Sequence, residues 1–144
     1  MDIEEQRRKA EAGSCVAQTI LGISYLYGYE VAVDYKEAFR FLAVAGTSRA
    51  FLNLGIMHAK GLGIPQNLSE AIRLFEAVAK PADSTDAFQA RVELGRIYSS
   101  GLGVPLDVRK ARDWYKSALA LVNDRDDSDG VREAKAYIAG TKES

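Results

Sequence analysis

Four groups of residues in this chain are of types and spacings that could carry chemistry. His58 is the only histidine and Cys15 the only cysteine. Catalysis by either needs a partner, such as a base beside the nucleophile or a second titratable group in reach. His58 stands four residues after Leu54 in a helical apolar register, which predicts a satisfied packing imidazole at the core or its rim. Cys15 cannot form an internal disulfide and leaves any zinc site short of thiolates, so a small half-buried side chain is expected there. Asp124, Asp126, Asp127 and Asp129 approach the spacing of a calcium loop. Asp129 stands where its glycine belongs and Lys135 where its glutamate belongs, so a solvated loop from Asn123 to Gly130 is expected. Gly61-Leu62-Gly63 and Gly101-Leu102-Gly103 look like parts of a phosphate cradle. Each follows a helical stretch and lacks both the third glycine and Gly-Lys-Ser/Thr, so a turn explains them. No catalytic, metal or cofactor site is expected.

Composition narrows the classes further. The chain has 144 residues, 47% of them apolar. A single domain of this size buries roughly 70% of its unfolded surface, enough for a continuous core. With 19 basic and 20 acidic residues the net charge is −1, which argues against binding nucleic acid by neutralising phosphates. Division at Gly46 and Asp86 gives 5 basic against 7 acidic, 4 against 4 and 10 against 9, so no segment is strongly charged. The first residues lack a signal-peptide apolar stretch, and no run approaches the ~18 apolar residues of a membrane span. A soluble cytoplasmic chain that contacts neither nucleic acid nor membrane is expected.

The elements that position these residues repeat. Leu21-Gly22 recurs as Leu54-Gly55 and Leu94-Gly95. Four residues on stand Tyr25, His58 and Tyr98, and seven on Gly28, Gly61 and Gly101. Asp34, Asn67 and Asp107 follow, then Ala38, Ala71 and Ala111. Each copy closes with an apolar or aromatic pair: Phe41-Leu42, Leu74-Phe75 and Trp114-Tyr115. Ala17, Leu21, Tyr25 and Gly28 fall on one stripe of a helix ended by the glycine. Asp34, Asn67 and Asp107 have N-cap chemistry, and Asp34/Glu37 and Asn67/Glu70 have the spacing of a capping box. Each copy is therefore a helix pair. Residues 2 to 12 read as an unpaired second-type helix and 129 to 139 as a capping first-type helix. A polar connection from Ala79 to Asp86, holding Pro81, accounts for the longer third spacing. Trp114 falls in the core register, as do Tyr25 and Tyr98.

This pattern resembles the sel-1-like repeat family, relatives of the tetratricopeptide repeats. Repeat three carries the family pattern most fully: Ala90, Leu94-Gly95, Tyr98, Gly101-Leu102-Gly103-Val104, Asp107, Lys110-Ala111, Trp114-Tyr115, Ala118. Repeat two departs at His58, Asn67 and Leu74-Phe75, and repeat one most at Glu30, in place of the second glycine. The resemblance implies an all-α fold, a right-handed α-solenoid of stacked antiparallel helix pairs with terminal capping helices. The expected single domain spans residues 1–144, with a half-repeat at 2–12, repeats at 13–46, 47–82 and 83–122, and a cap at 129–139. It also implies a non-enzymatic protein-binding module, an adaptor, scaffold or regulator. A bacterial immunity protein that neutralises a toxic effector is the alternative.

Positions opposite the repeated stripe mark where a partner peptide, helix or effector domain would bind. In repeat one they are Val16, Thr19, Ile23 and Leu26, with Tyr27 beside them. In repeat two they are Arg49, Leu52, Ile56 and Ala59, with Lys60 beside them, and in repeat three Gln89, Val92, Arg96 and Ser99. In tetratricopeptide-like stacks this face lines the concave groove, so the assignment rests partly on the resemblance. Val16, Leu52 and Val92 flank the face and could equally be core. The expected groove is apolar at Ile23, Leu26 and Ile56 and grades into Arg49, Lys60 and Arg96, suited to an apolar anchor beside a carboxylate. The same apolar face would equally seat a second copy, so self-association stays open. Glu30 must either adopt a strained left-handed conformation or rebuild its loop. In its functional reading the first loop has become a contact.

Overall fold

The computed structural model describes residues 1–80 and 85–141, and among these every regular element is a helix. In chain order they are α1 (Ile3–Glu11), α2 (Cys15–Tyr27), α3 (Tyr35–Ala45), α4 (Ser48–Lys60), α5 (Leu68–Ala79), α6 (Thr85–Ser100), α7 (Val108–Leu119) and α8 (Asp129–Gly140). Of the connection expected from Ala79 to Asp86, residues 81–84 lie outside the described residues. The chain divides into two compact units, Met1–Leu74 and Phe75–Ser144.

Helix ends follow one local chemistry. Gly28 and Gly61 end α2 and α4 at φ of 77° and 68°, and Gly101 follows α6 at 65°, where a side chain would be costly. Asp34, Asn67 and Asp107 then accept the backbone N–H of Glu37, Glu70 and Lys110 at 3.1, 3.0 and 2.9 Å. The reciprocal arm of the expected capping boxes does not form. Glu37 and Glu70 instead accept from Arg40 and Arg73 one turn on. The cap N–H groups of Asp34, Asn67 and Asp107 donate to the carbonyls of Tyr25, His58 and Tyr98 at 2.9, 2.9 and 3.0 Å. That bond ties the second helix of each pair back to the first through the backbone, so it tolerates histidine in place of tyrosine.

In the first unit α1 runs antiparallel to α2, and α2 to α3, around Leu21, Tyr25, Phe41, Leu42, Met57 and Leu74. Tyr25 stacks on Phe41. α2 and α3 pack tightly at Gly22 and Leu42, where a Cβ on the glycine would stand 2.5 Å from Leu42 Cγ. In the second unit α6, α7 and α8 enclose Val92, Tyr115, Ala118 and Ala134. There a Cβ on Gly95 would stand 2.8 Å from the Tyr115 ring. Two arginines close this unit. Arg91 Nη1 donates to Ser117 O at 2.8 Å and Nη2 to Ala79 O at 2.9 Å, while Arg112 Nη1 donates to Ile138 O at 2.6 Å and also to Thr141. Each satisfies carbonyls that a helix C-terminus leaves unpaired.

Three expectations need correction. Cys15 is exposed, because the first residue of α2 points away from the stripe at Ala17 and Leu21. Trp114 is half-buried and lines a cleft with Glu76, Ala79, Lys80, Arg91 and Ser117, while Tyr115 takes the core position. The polar loop after α7 stops short of Gly130, since α8 begins at Asp129, the residue at which the capping helix was expected to start.

Glu30 adopts the strained alternative. At φ 61° it is the one non-glycine residue with positive φ among those described, in the register of Gly63 (71°) and Gly103 (87°). A Cβ on Gly63 would meet that of Tyr35 at 2.4 Å, so glycine is required there for space as well. Glu30 instead neighbours the chain start, its Oε1 standing 3.7 Å from the Met1 ammonium, and finds room but no relief from the backbone cost.

Two stability measurements follow from these positions. Gly22→Ala should lower the free energy of unfolding in urea by about 1–3 kcal/mol, because Leu42 meets the new methyl with both its side chain and its backbone. Gly140→Ala, with nothing within 4 Å, should cost nothing. Glu30→Gly should stabilise by about 1 kcal/mol, read as a rise of roughly 2–4 °C in thermal midpoint.

Candidate functional site

The residues opposite the packing stripe can be followed within each unit separately. In the first unit α2 and α4 lie side by side, joined near both ends of the shared stretch. The Thr19 and Thr47 hydroxyls are 2.8 Å apart. Since Thr19 gives its proton to Cys15 O, Thr47 is the donor between them. Eight residues along α2, the Tyr27 hydroxyl donates to Asn53 Oδ1 at 3.0 Å, and the Asn53 amide donates in turn to Arg49 O. Between and beyond these bonds stand Ile23 and Ile56, both half-buried, and Ala59. Val16, Tyr27, Arg49 and Lys60 are exposed, whereas Thr19, Leu26 and Leu52 are buried. The solvent-facing part of this surface is thus an apolar strip of isoleucines edged by a tyrosine and two cations.

The second unit presents different chemistry in the same register. Arg96 on α6 forks onto Glu133 on α8, Nε to Oε2 at 2.7 Å and Nη2 to Oε1 at 2.8 Å, and its Nη1 reaches Glu93 Oε1 at 2.7 Å. Gln89 donates to the same Glu93 oxygen and the Tyr115 hydroxyl to Glu133 Oε2, both at 2.9 Å. A planar guanidinium held by two carboxylates is a rigid, directional cluster, and one more acid than base leaves it net negative. Val92 is buried beneath it, and Arg96, Gln89 and Ser99 are half-buried.

Titration follows from this geometry. Hydrogen bonds from Arg96 to Glu133 hold the guanidinium charged against the opposing effect of burial. Burial and then the Glu133 carboxylate push the Tyr115 hydroxyl well above the usual phenol range. Burial raises the Glu133 pKa, but Arg96 and Tyr115 together more than reverse this and hold it below the ordinary glutamate value.

His58 does not enter either strip. Its ring stands edge-on to Phe39 with centroids 6.3 Å apart, and its Nδ1 is buried with no hydrogen-bond partner among the described residues. The expected satisfied imidazole is therefore only partly satisfied. Among the described residues no three His, Cys, Asp or Glu side chains gather as metal ligands, and no helix is long and apolar enough to cross a membrane.

Asn53, Glu93 and Glu133 were not among the expected contacts. Asn53 and Glu93 occupy the position just before the repeated leucine, at the flank of the face, where the pattern on α6 alone, Gln89, Glu93 and Arg96 at spacings of four and three, signals a paired cluster. Glu133 carries no such local signal, because its partner is 37 residues away.

Paired helices in repeated register define an α-helical repeat protein. The Sel1 repeat model matches residues 15–46, 48–80 and 89–123, and the chain belongs to the Sel1 repeat family. Its fold class is accordingly that of the α-solenoids, and proteins of this family generally mediate protein–protein interaction. The chain is 29% identical to the Sel1 repeat protein of Oxalobacter formigenes, with a TM-score of 0.69 over 97% of this chain and 98% of that one. It is likewise 29% identical to c5321, a protective antigen of uropathogenic Escherichia coli with this fold, with a TM-score of 0.73 over 86% of this chain and 26% of that one. Among curated proteins it is 34% identical over 76 residues to mouse DAP3-binding cell death enhancer 1, covering 51% of this chain and 14% of that protein. It is 30% identical over 112 residues to the Arabidopsis thaliana ERAD-associated E3 ubiquitin-protein ligase component HRD3B, covering 76% of this chain and 17% of that protein. The chain thus spans less than a fifth of the length of these curated relatives.

The Arg96 cluster generates a test in acid. A carboxylate with a lowered folded pKa contributes fully above its unfolded value, about 4.3, and that contribution is lost as pH falls through the folded pKa. Glu133→Gln should therefore lower the urea midpoint at pH 7 and flatten its decline between about pH 5 and pH 3. Parallel declines in both proteins would refute the assignment.

Proposed function

We propose that the chain is a non-enzymatic interaction module that seats a partner polypeptide along the strip of α2 and α4. The observation that carries this reading is the isoleucine pair. Ile23 and Ile56, half-buried with Ile23 packed against the core, keep part of their surface open on a face whose polar groups, Thr19 with Thr47 and Tyr27 with Asn53, are already bonded in pairs. Saturated polar groups offer a partner little, so the free energy of contact would come from covering apolar surface, with the exposed Lys60 at the C-terminal end of α4 placed to meet a carboxylate. Leu26 and Leu52 support the strip from beneath as buried side chains. Thr19 serves through its bond to Thr47. Gln89 and Arg96 belong to the second unit's cluster, whose net negative charge suits a basic residue.

The curated relatives are consistent with a binding role, since one is named for binding DAP3 and another as a ligase component. The double variant Ile23→Glu/Ile56→Glu should retain native helical content by circular dichroism and lose the partner that co-purifies with the wild-type protein from a native extract. Retention of that partner would place the contact elsewhere. Its identity separates the two finer roles, since a toxic enzyme means immunity and a signalling or export component means an adaptor.

A further inference from the structure

The loop between α2 and α3 carries a surface distinct from the isoleucine strip. Residues 27 to 35 read Tyr-Gly-Tyr-Glu-Val-Ala-Val-Asp-Tyr and contain two acidic residues and no basic one. Tyr29 and Val33 are 58% and 52% exposed, and Tyr27 and Tyr35 also reach solvent. The Tyr27 and Tyr29 rings lie tilted against each other, centroids 5.7 Å apart, which makes a stiff aromatic platform. Asp34 is engaged as the α3 cap, so the charge this loop offers is the Glu30 carboxylate, 52% exposed and beside the Met1 ammonium.

Repeat three exposes apolar residues in the same register, Leu102 and Leu106, but has Gly103 where Glu30 stands. Repeat one thus differs by adding a negative charge at a position where the backbone favours glycine. Backbone strain retained on an exposed carboxylate, next to exposed aromatic rings, is compatible with a contact surface.

We infer that this loop is a docking edge for a partner segment in which arginine or lysine alternates with apolar residues. The apolar residues would cover Tyr27, Tyr29 and Val33, and the cation would pair with Glu30. Tyr27 borders both this edge and the isoleucine strip, but neither surface needs the other.

The test uses the full chain labelled with ¹⁵N and two synthetic peptides, acetyl-Leu-Arg-Leu-Arg-amide and acetyl-Leu-Glu-Leu-Glu-amide. The arginine peptide should shift amide resonances of residues 27 to 35 in a saturable manner, and the glutamate peptide should shift them at least fivefold less at equal concentration. Glu30→Gln, which keeps the side-chain volume, should weaken the arginine peptide by severalfold. Glu30→Gly should do the same while raising the thermal midpoint, a combination that a purely structural role for Glu30 would not produce. Ile23→Glu/Ile56→Glu should leave these shifts in place, so failure of the strip and failure of this edge are separable. Equal response to both peptides, shifts confined to other residues, or native binding by either Glu30 variant would overturn the inference. So would a Tyr29→Ser/Val33→Ser variant that changes the sedimentation of the protein alone, because the occupant would then be a second copy.

Discussion

The fold depends on the contact between a glycine in the first helix of a pair and a large side chain in the second. Gly22 receives Leu42 and Gly95 receives Tyr115, each twenty residues on (42 − 22 and 115 − 95), at separations that leave no space for a methyl group. Removal of one Cβ lets two helices approach until the larger side chain lies against backbone, and the gain in dispersion contacts exceeds what glycine costs in helix propensity. The same spacing separates Gly55 from Phe75. Everything else in a repeat serves that approach. Left-handed glycines end the first helix, the capped aspartate or asparagine starts the second, and the backbone bond from the cap to residue 25, 58 or 98 sets the distance between them.

This hierarchy explains which features were legible in the sequence. Helix pairs, caps and core stripe follow from local rules acting on residues within a few positions of each other, and the repetition multiplies the signal. The capping boxes failed because a glutamate at that position has a second option, an arginine one turn on, while the backbone has only the carbonyl above it. Cys15 and Trp114 were misjudged for a related reason. A helical register gives direction around the axis but not how far the neighbouring helix extends, so a residue at an end or a flank can have the right angle and no cover.

Site chemistry was less legible than the fold. Register placed Ile23 and Ile56 on the strip face, and both keep partial exposure. It could not foresee that Arg96 would be taken by Glu133, because that pairing depends on how α8 lies against α6 and α7. The difference is energetic as well as geometric. A guanidinium forked onto a carboxylate of its own chain has already recovered much of its desolvation cost, and a partner must exchange those bonds and not add to them. Such a cluster selects against badly matched charge more than it adds affinity.

A repeat protein divides its positions between those that keep the stack together and those free to vary, and binding specificity normally uses the second kind. Ile23, Ile56 and Gln89 are of that kind, since two residues after the repeated leucine the repeats hold isoleucine, isoleucine and arginine, and five before it valine, arginine and glutamine. Glu30 belongs to the first kind, a position where φ near +60° favours glycine in every repeat, yet it carries a charged side chain. At Gly63 the packing of Tyr35 forbids such a substitution, whereas position 30 accommodates a glutamate. The steric constraint has been lifted there while the conformational one remains, so a carboxylate persists against the preference of its own backbone. A residue that costs stability without improving packing is the kind of local conflict that functional sites tolerate.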